Sequence, residues 1–230
     1  MTPAQARTLW DCAQAVKPGG RIVEIGSFRG RSMIVLARAV DPDVELIAID
    51  PHAGNDRGPQ EFEGFEEHAA ADHDVFRENL ERAGVADKVR HLRKFSHDAV
   101  SDVPDGIDLL YIDGAHRFRP ALDDIRRWSA KIAPAGTLLI HDSFSAIGVT
   151  GALMAELFFT GRFRYIGRCG SMTHYRREPL SGRERVRNAA RQIAQLPWFV
   201  RNLVIKGLIL GHLGGLTRPL FGHDPSMWPH

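Results

Sequence analysis

The sequence predicts an α/β fold with a doubly wound, mostly parallel, seven-stranded sheet. Short apolar runs alternate with helix-length amphipathic stretches, which is the pattern of repeated βαβ units. Four of the first five runs end in glycine or polar residues, as expected of strands that open onto a site. The last two runs are close enough to pair antiparallel, which is common at the edge of a large open sheet.

The strands are placed on the apolar runs, most of which have four to six residues. Residues 163–167 and 171–175 are expected to form the antiparallel C-terminal edge. The preceding five runs are expected to form the parallel strands: 21–25, 45–49, 89–92, 107–112 and 137–140.

Apolar residues at three- and four-residue spacing predict the helices. A first helix is expected around residues 11–15. The polar segment 52–74 is longer than the roughly two to six residues of an ordinary βα connection. We interpret it as a lid, with a solvated insertion as the alternative. The other helices are expected near 31–40, 74–83, 120–133 and 148–159.

At 230 residues, the chain is long enough for one main domain, which we place at residues 1–180. Residues 181–230 form an arginine-rich and then apolar tail, and from Gly161 onward the chain has 12 basic and 3 acidic residues. We expect an amphipathic helical tail that packs on the domain or forms a homodimer interface. Membrane-surface binding is the less favoured alternative. No transmembrane span is expected, since Arg201 and Lys206 interrupt the apolar run.

The remaining composition narrows the class of protein. The tail arginines lack interleaved aromatic residues, so no nucleic-acid partner is expected. The two cysteines, Cys12 and Cys169, indicate neither a zinc site nor a disulfide framework. The amino terminus lacks the layout of a secretory signal, and we therefore expect a cytoplasmic protein.

The first predicted strand leads into a turn that contains Gly26 and Gly30. Ligands of open α/β sheets bind at the carboxyl ends of strands, so this turn is the expected cofactor site. Its spacing is not the GxGxxG of dinucleotide sites, which disfavours a nicotinamide cofactor. Asp50 ends the second strand about 20 residues after Gly30, where an acid accepts hydrogen bonds from ribose hydroxyls. The pattern favours a nucleoside-type cofactor over a simple tight turn.

Several motifs follow one another in order between residues 21 and 143: VEIGSFRGRS, AIDPH, SHD, LLYIDGAH and LLIHDS. Together they resemble the class I S-adenosylmethionine-dependent methyltransferases. The resemblance implies S-adenosylmethionine as cofactor, with its ribose held by Asp50 and its adenine flanked by Ser96, His97 and Asp98. It places Glu24, Gly26 and Ser32 along the methionine end. Ser27 and Asp113 complete the set of expected cofactor-binding residues.

Polar residues also end the fourth and fifth predicted strands. Asp113, His141 and Asp142 should converge there and could bind a divalent cation. The arrangement is similar to metal-dependent O-methyltransferases, including catechol and macrolide-sugar enzymes, which implies Mg²⁺. His141 stands where those enzymes usually carry an acid, so Mn²⁺ is a further candidate. The alternative is that these residues only cap helices and bind backbone groups.

His116 follows Asp113 by three residues, where the resemblance implies the general base, and Asp113 is the second expected catalytic residue. A hydroxyl must lose a proton as it attacks a methyl carbon, and a positioned base assists that step. The sequence thus predicts an O-methyltransferase acting on a sugar, a glycan or a glycosylated small molecule. A metal-dependent hydrolase or hydroxylase without S-adenosylmethionine, and a binding protein that has lost catalysis, are the other hypotheses.

Overall fold

The computed structural model describes residues 1–53 and 65–224. In this part of the chain one seven-stranded sheet has the strand order β3-β2-β1-β4-β5-β7-β6. Strands β1 to β5 are parallel, and β7 pairs antiparallel with both β5 and β6. The predicted fold class is confirmed. The strands are β1 (Arg21–Ile25), β2 (Glu45–Ile49), β3 (Val89–Leu92), β4 (Ile107–Ile112), β5 (Ile132–Ile140), β6 (Phe163–Cys169) and β7 (Met172–Arg177).

The helices of the described residues differ most from the sequence prediction at one place. Helix α3 begins at Phe65, nine residues before the predicted start, because the intervening residues are rich in the helix formers Ala and Glu. It therefore overlaps the predicted lid, whose residues 54–64 lie outside the described residues. The helices are α1 (Pro3–Gln14), α2 (Arg31–Ala39), α3 (Phe65–Arg82), α4 (Ser96–Ala99), α5 (Phe118–Ser129), α6 (Ile147–Glu156), α7 (Gly182–Ile193), α8 (Leu196–Leu210) and α9 (Thr217–Phe221).

The central strands are buried on both faces, which explains why they read as continuous apolar runs. Because side chains alternate across a strand, neighbouring residues enter different cores. Val23 and Leu110 belong to one buried cluster with Trp128. Ile22 and Leu109 belong to the other. The sheet is thereby fixed in register, and with it the positions of the strand ends.

Adjacent strands β1 and β4 mark the switch point of the sheet, since the chain runs outward to β3 on one side and to β5 on the other. Their carboxyl ends, and that of β2, lie at one edge. A crevice forms at such a point, and ligands of open α/β sheets bind there.

Helix α8 in the tail binds the loop that follows β5. Asn202 Nδ2 donates to the Phe144 carbonyl at 3.4 Å, and Lys206 Nζ donates to the Ser145 carbonyl at 2.8 Å. By length and composition alone, the described residues contain one segment that could cross a membrane, Gly182–Leu210, which is weak evidence for a span. A turn at residues 194–195 divides it into α7 and α8. The domain division at residue 180 stays a prediction.

Candidate active site

The loops that follow β1 and β4 touch at the switch point. Gly26 has a φ of +86°, and a Cβ built on it would lie 2.3 Å from the Asp113 carbonyl oxygen. Only glycine permits both this backbone conformation and this close approach. The two loops therefore form one continuous wall, and the cofactor and reaction residues predicted on them share one edge of the sheet.

The Asp50 carboxylate is held by two backbone amides. Phe28 N donates to Oδ2, and His52 N donates to Oδ1, both at 2.7 Å. Phe28 and His52 have positive φ values, which are uncommon for residues other than glycine and are concentrated at functional sites. The loop after β1 is thus tied to the end of β2 through a carboxylate of fixed orientation.

His52, which was expected to begin the lid, is buried. Its ring lies 5.1 Å, centroid to centroid, from both His73 and His91, and 5.3 Å from Phe76. These contacts pack the start of the segment against α3 and β3. His52 is therefore part of the wall beside Asp50, and the lid stays a prediction for the residues that follow.

Glu24 lies within β1 and is completely buried, and in the part of the chain that the structure describes neither carboxylate oxygen has a hydrogen-bond partner of good geometry. Burial raises its pKa to about 7, while the nearby hydroxyls of Ser32 and Ser27 oppose the shift. The carboxylates of Asp113 and Asp50 add to it, which places all three acids around one space. An unpartnered buried carboxylate is costly and fits a cationic ligand group.

Ser96, His97 and Asp98 form the first turn of α4. The Ser96 hydroxyl donates to the carboxylate of Asp124, while the side chains of His97 and Asp98 are more than half exposed. Burial raises the pKa of Asp124 to about 6, and the Ser96 hydrogen bond opposes this shift. The sequence analysis missed Asp124, although it lies three residues after Ala121 on the buried face of α5.

Asp113, His141 and Asp142 converge at the ends of β4 and β5. Nδ1 of His141 lies 3.2 Å from Oδ1 of Asp113 and 3.4 Å from Oδ2 of Asp142. One ligand atom from each residue lies within 4.8 Å of the other two. Nδ1 of the buried His141 therefore contacts both carboxylates, whereas its Nε2 has no hydrogen-bond partner among the described residues. The donor set of two carboxylates and one imidazole fits a divalent cation.

The same residues are strongly coupled electrostatically. Burial lowers the pKa of His141, but the carboxylates of Asp113 and Asp142 outweigh it and raise the pKa to about 10. Burial raises the pKa of Asp142, but the imidazoles of His116 and His141 outweigh it and hold the pKa well below its ordinary value. Asp142 is therefore an anion at neutral pH, as a metal ligand must be.

His116 lies on the loop after β4, with Nε2 2.8 Å from Oδ2 of Asp142. The His116 side chain is 23% exposed to solvent, so a substrate can reach it. The start of α6 fixes its backbone, since a Cβ on Gly148 would lie 2.2 Å from the His116 carbonyl oxygen. An Nε2–H that donates to Asp142 leaves Nδ1 to accept a proton.

Two further polar residues support the strand ends and were missed by the sequence analysis. Tyr111 Oη donates to Oδ2 of Asp113 at 3.0 Å. Burial, with the Asp113 carboxylate, raises the pKa of Tyr111 well above its ordinary value, so the hydroxyl keeps its proton. Tyr111 could have been predicted from its position two residues before Asp113, because residues i and i+2 of a strand point to the same side. Lys206 holds the loop after Asp142 from a distant helix.

The sheet order and the pocket at the switch point define a class I methyltransferase fold. A family model described as a methyltransferase domain matches residues 23–143, which is just over half of the chain. The chain belongs to this methyltransferase-domain family, and the resemblance drawn from the motifs is confirmed. The family match gives no support to the rival hydrolase or hydroxylase.

Two curated relatives carry no functional description. The chain is 32% identical over 127 residues to the uncharacterized protein y4gI of Sinorhizobium fredii, a match that covers 54% of this chain and 13% of that protein. It is 26% identical over 126 residues to the uncharacterized protein R132 of Acanthamoeba polyphaga mimivirus, which covers 52% and 50%. The chain thus spans half or less of the length of these relatives.

Solved structures show the same fold. The O-methyltransferase NovP superimposes with a TM-score of 0.57 at 20% identity, over 76% of this chain and 79% of that chain. An O-methyltransferase from Bacillus cereus, solved in complex with SAH, gives a TM-score of 0.57 at 18% identity, over 77% and 82%. The architecture that places the candidate site is therefore that of known methyltransferases.

Proposed function

We propose that this protein is an S-adenosylmethionine-dependent O-methyltransferase assisted by a divalent cation, and that its acceptor is a hydroxyl of a sugar, glycan or glycosylated small molecule. One observation supports this most: the family's cofactor edge and the Asp113–His141–Asp142 cluster share a single wall, built where Gly26 touches the Asp113 carbonyl. The methyl donor and the activated hydroxyl must meet in one pocket, and a shared wall lets the two sets of residues line the same pocket.

The cofactor is assigned to residues along this wall. Glu24 fits the ammonium group of the methionine moiety, because its buried carboxylate meets no cation among the described residues and only the hydroxyls of Ser27 and Ser32 lie near it. Gly26, Ser27 and Ser32 line the same part of the site. The two amides on Asp50 orient its carboxylate toward ribose hydroxyls. Ser96, His97 and Asp98 are assigned to the adenine, with Asp124 orienting Ser96.

Asp113, His141 and Asp142 would hold the cation, with Mg²⁺ favoured and Mn²⁺ the alternative. When bound, a cation of this kind stabilises the negative charge that develops on the acceptor oxygen. Tyr111 orients Asp113 for this task. His116 takes the hydroxyl proton at Nδ1, and Asp142 then stabilises the imidazolium through Nε2. A positioned base of this type contributes roughly 100- to 10,000-fold to the rate.

The test is an incubation of the full chain with S-adenosylmethionine and a panel of sugars, glycosides and non-glycosylated phenols, read by mass spectrometry. The proposal expects a gain of one methyl group on a hydroxylated glycoside. Methylation of none of the acceptors, with cofactor bound, would favour a binding protein. The cytoplasmic location and the homodimer remain predictions, and light scattering tests the second.

A further inference from the structure

Helix α8 directs its polar side chains toward the protein. Lys206 Nζ donates to the carbonyl and the hydroxyl oxygen of Ser145, at 2.8 and 3.0 Å. Arg201 donates to the Phe221 carbonyl at 2.9 Å, and Asn202 is buried. Arg201, Asn202 and Lys206 are all the charged and amide residues of α8. Its outward face consequently carries no charge.

The outward face instead presents an apolar strip, which we call the α8 stripe: Pro197, Val200, Val204, Gly207 and Leu210. Their spacing of three and four residues puts them on one side of the helix. Val200 is 55% exposed, Val204 44% and Leu210 70%. A helix face that meets water normally carries polar residues, and an exposed apolar strip marks an interaction surface.

Cations lie before and after this stripe along the chain. Between Glu184 and Asp224 the chain has six lysine and arginine residues and no aspartate or glutamate. Glu184 itself is paired with Arg164 at 2.8 Å. Arg183 and Arg187 are exposed on α7, before the stripe, and Arg218 is exposed on α9, after it. The surface around the stripe is therefore positive at both ends.

This charge distribution favours an anionic lipid surface over a second copy of the chain. In a two-fold dimer the same patch meets itself, which would bring like charges together. Anionic headgroups neutralise the arginines while the acyl region accepts the stripe. Helix α8 has 15 residues, fewer than the roughly 20 needed to span a bilayer. It suits a helix that lies in the plane of the interface.

We infer that the α8 stripe and its flanking arginines form a docking surface for an anionic lipid membrane. The inward face of the same helix is hydrogen-bonded to the carbonyls of Phe144 and Ser145. Docking would therefore place the loop that carries Asp142 close to the membrane. The inference does not depend on methyl transfer, and its test uses no activity measurement.

The experiment is co-sedimentation of the full chain with vesicles of phosphatidylcholine, with and without phosphatidylglycerol. We expect binding to the anionic vesicles and little to the neutral ones. The double variant Val200→Glu/Val204→Glu should bind these vesicles at least about tenfold more weakly than the wild type, because the charged stripe can no longer be buried among the acyl chains. Met154→Glu is the matched control, since Met154 is also 44% exposed but lies on α6. It should bind like the wild type.

A second pair of variants tests the charge. Arg183→Gln/Arg187→Gln should weaken binding to anionic vesicles and reduce its salt sensitivity, whereas Lys17→Gln should not. Thermal unfolding checks that each variant is folded. The inference is overturned if the wild type stays in the supernatant, if it binds neutral vesicles equally well, or if neither double variant binds more weakly than its control. A dimer that dissociates on Val204→Glu, without vesicle binding, would assign the stripe to a second copy.

Discussion

Oδ2 of Asp142 lies 2.8 Å from Nε2 of His116 and 3.4 Å from Nδ1 of His141. One carboxylate oxygen thus joins the proposed general base to the proposed cation site. Loss of Asp142 should disturb both, whereas loss of His116 should disturb only proton transfer.

Replacing the proposed base should reduce the rate of the chemical step without affecting the cofactor. His116→Ala is expected to lower kcat roughly 100- to 10,000-fold and to leave the affinity for S-adenosylhomocysteine unchanged. His97→Ala provides the contrast, since the loss of a residue proposed to contact the adenine should weaken cofactor affinity with little effect on kcat. Steady-state kinetics and calorimetry measure the two quantities. Unchanged kcat in His116→Ala would remove this residue from the mechanism.

The cation should be required for full activity. A chelator is expected to suppress methyl transfer, and added Mg²⁺ or Mn²⁺ to restore it. Asp113→Asn and His141→Ala should each weaken Mn²⁺ binding at least about tenfold in calorimetry, because the first removes the negative charge of a proposed ligand and the second removes a proposed ligand altogether. Asp87→Asn, which changes an exposed aspartate outside the cluster and outside the proposed cofactor site, is the control. Full activity in the presence of chelator would contradict the metal-assisted mechanism.

The sequence predicted the parallel part of the sheet well and the long-range contacts poorly. Strands β1 to β4 have the predicted bounds, because strands buried on both faces form continuous apolar runs. The start of β5 was missed because Pro134 and Gly136 resemble a turn, although Ile132 pairs with Ile107.

In the candidate site, too, the sequence predicted what strand ends bring together and missed the contacts between distant residues. Asp113, His141 and Asp142 could be grouped, since the ends of adjacent parallel strands meet at one edge. Asp124 and Lys206 could not, because their partners Ser96 and Ser145 are 28 and 61 residues away. Such contacts depend on helix packing, which local sequence patterns do not encode.

Glu24 should make the stability of the cofactor-free protein depend on pH. Its pKa is raised in the folded state, so the folded protein holds a proton that the unfolded chain releases between about pH 4.5 and 7. Stability should therefore fall as pH rises through this range. Glu24→Gln should remove the part of this dependence that Glu24 causes, leaving that of Asp124 and His141, and should gain up to about 3 kcal/mol relative to the wild type between pH 5 and pH 8. Urea unfolding at pH 5 and pH 8 measures the free energy of unfolding of both proteins. If it changed equally with pH in the wild type and in Glu24→Gln, the raised pKa of Glu24 would be refuted.

Lys206 should stabilise the loop that follows Asp142. Lys206→Met keeps the apolar stem but removes two hydrogen bonds to Ser145, and should cost about 1–3 kcal/mol in the free energy of unfolding. Lys17→Met is the matched control at an exposed site. Denaturant unfolding measures the difference. Equal losses in both variants would show that the tail does not support this loop.

Calorimetric titration of S-adenosylhomocysteine into the full chain and into Asp50→Ala tests most directly whether this pocket binds the methyl donor. We expect binding to one site on the wild type and an affinity about 10- to 100-fold lower in the variant, because the two hydrogen bonds proposed between the ribose hydroxyls and the Asp50 carboxylate are lost. Asp87→Ala, at an exposed position, should bind normally. A folded wild type that binds no S-adenosylhomocysteine would contradict the account.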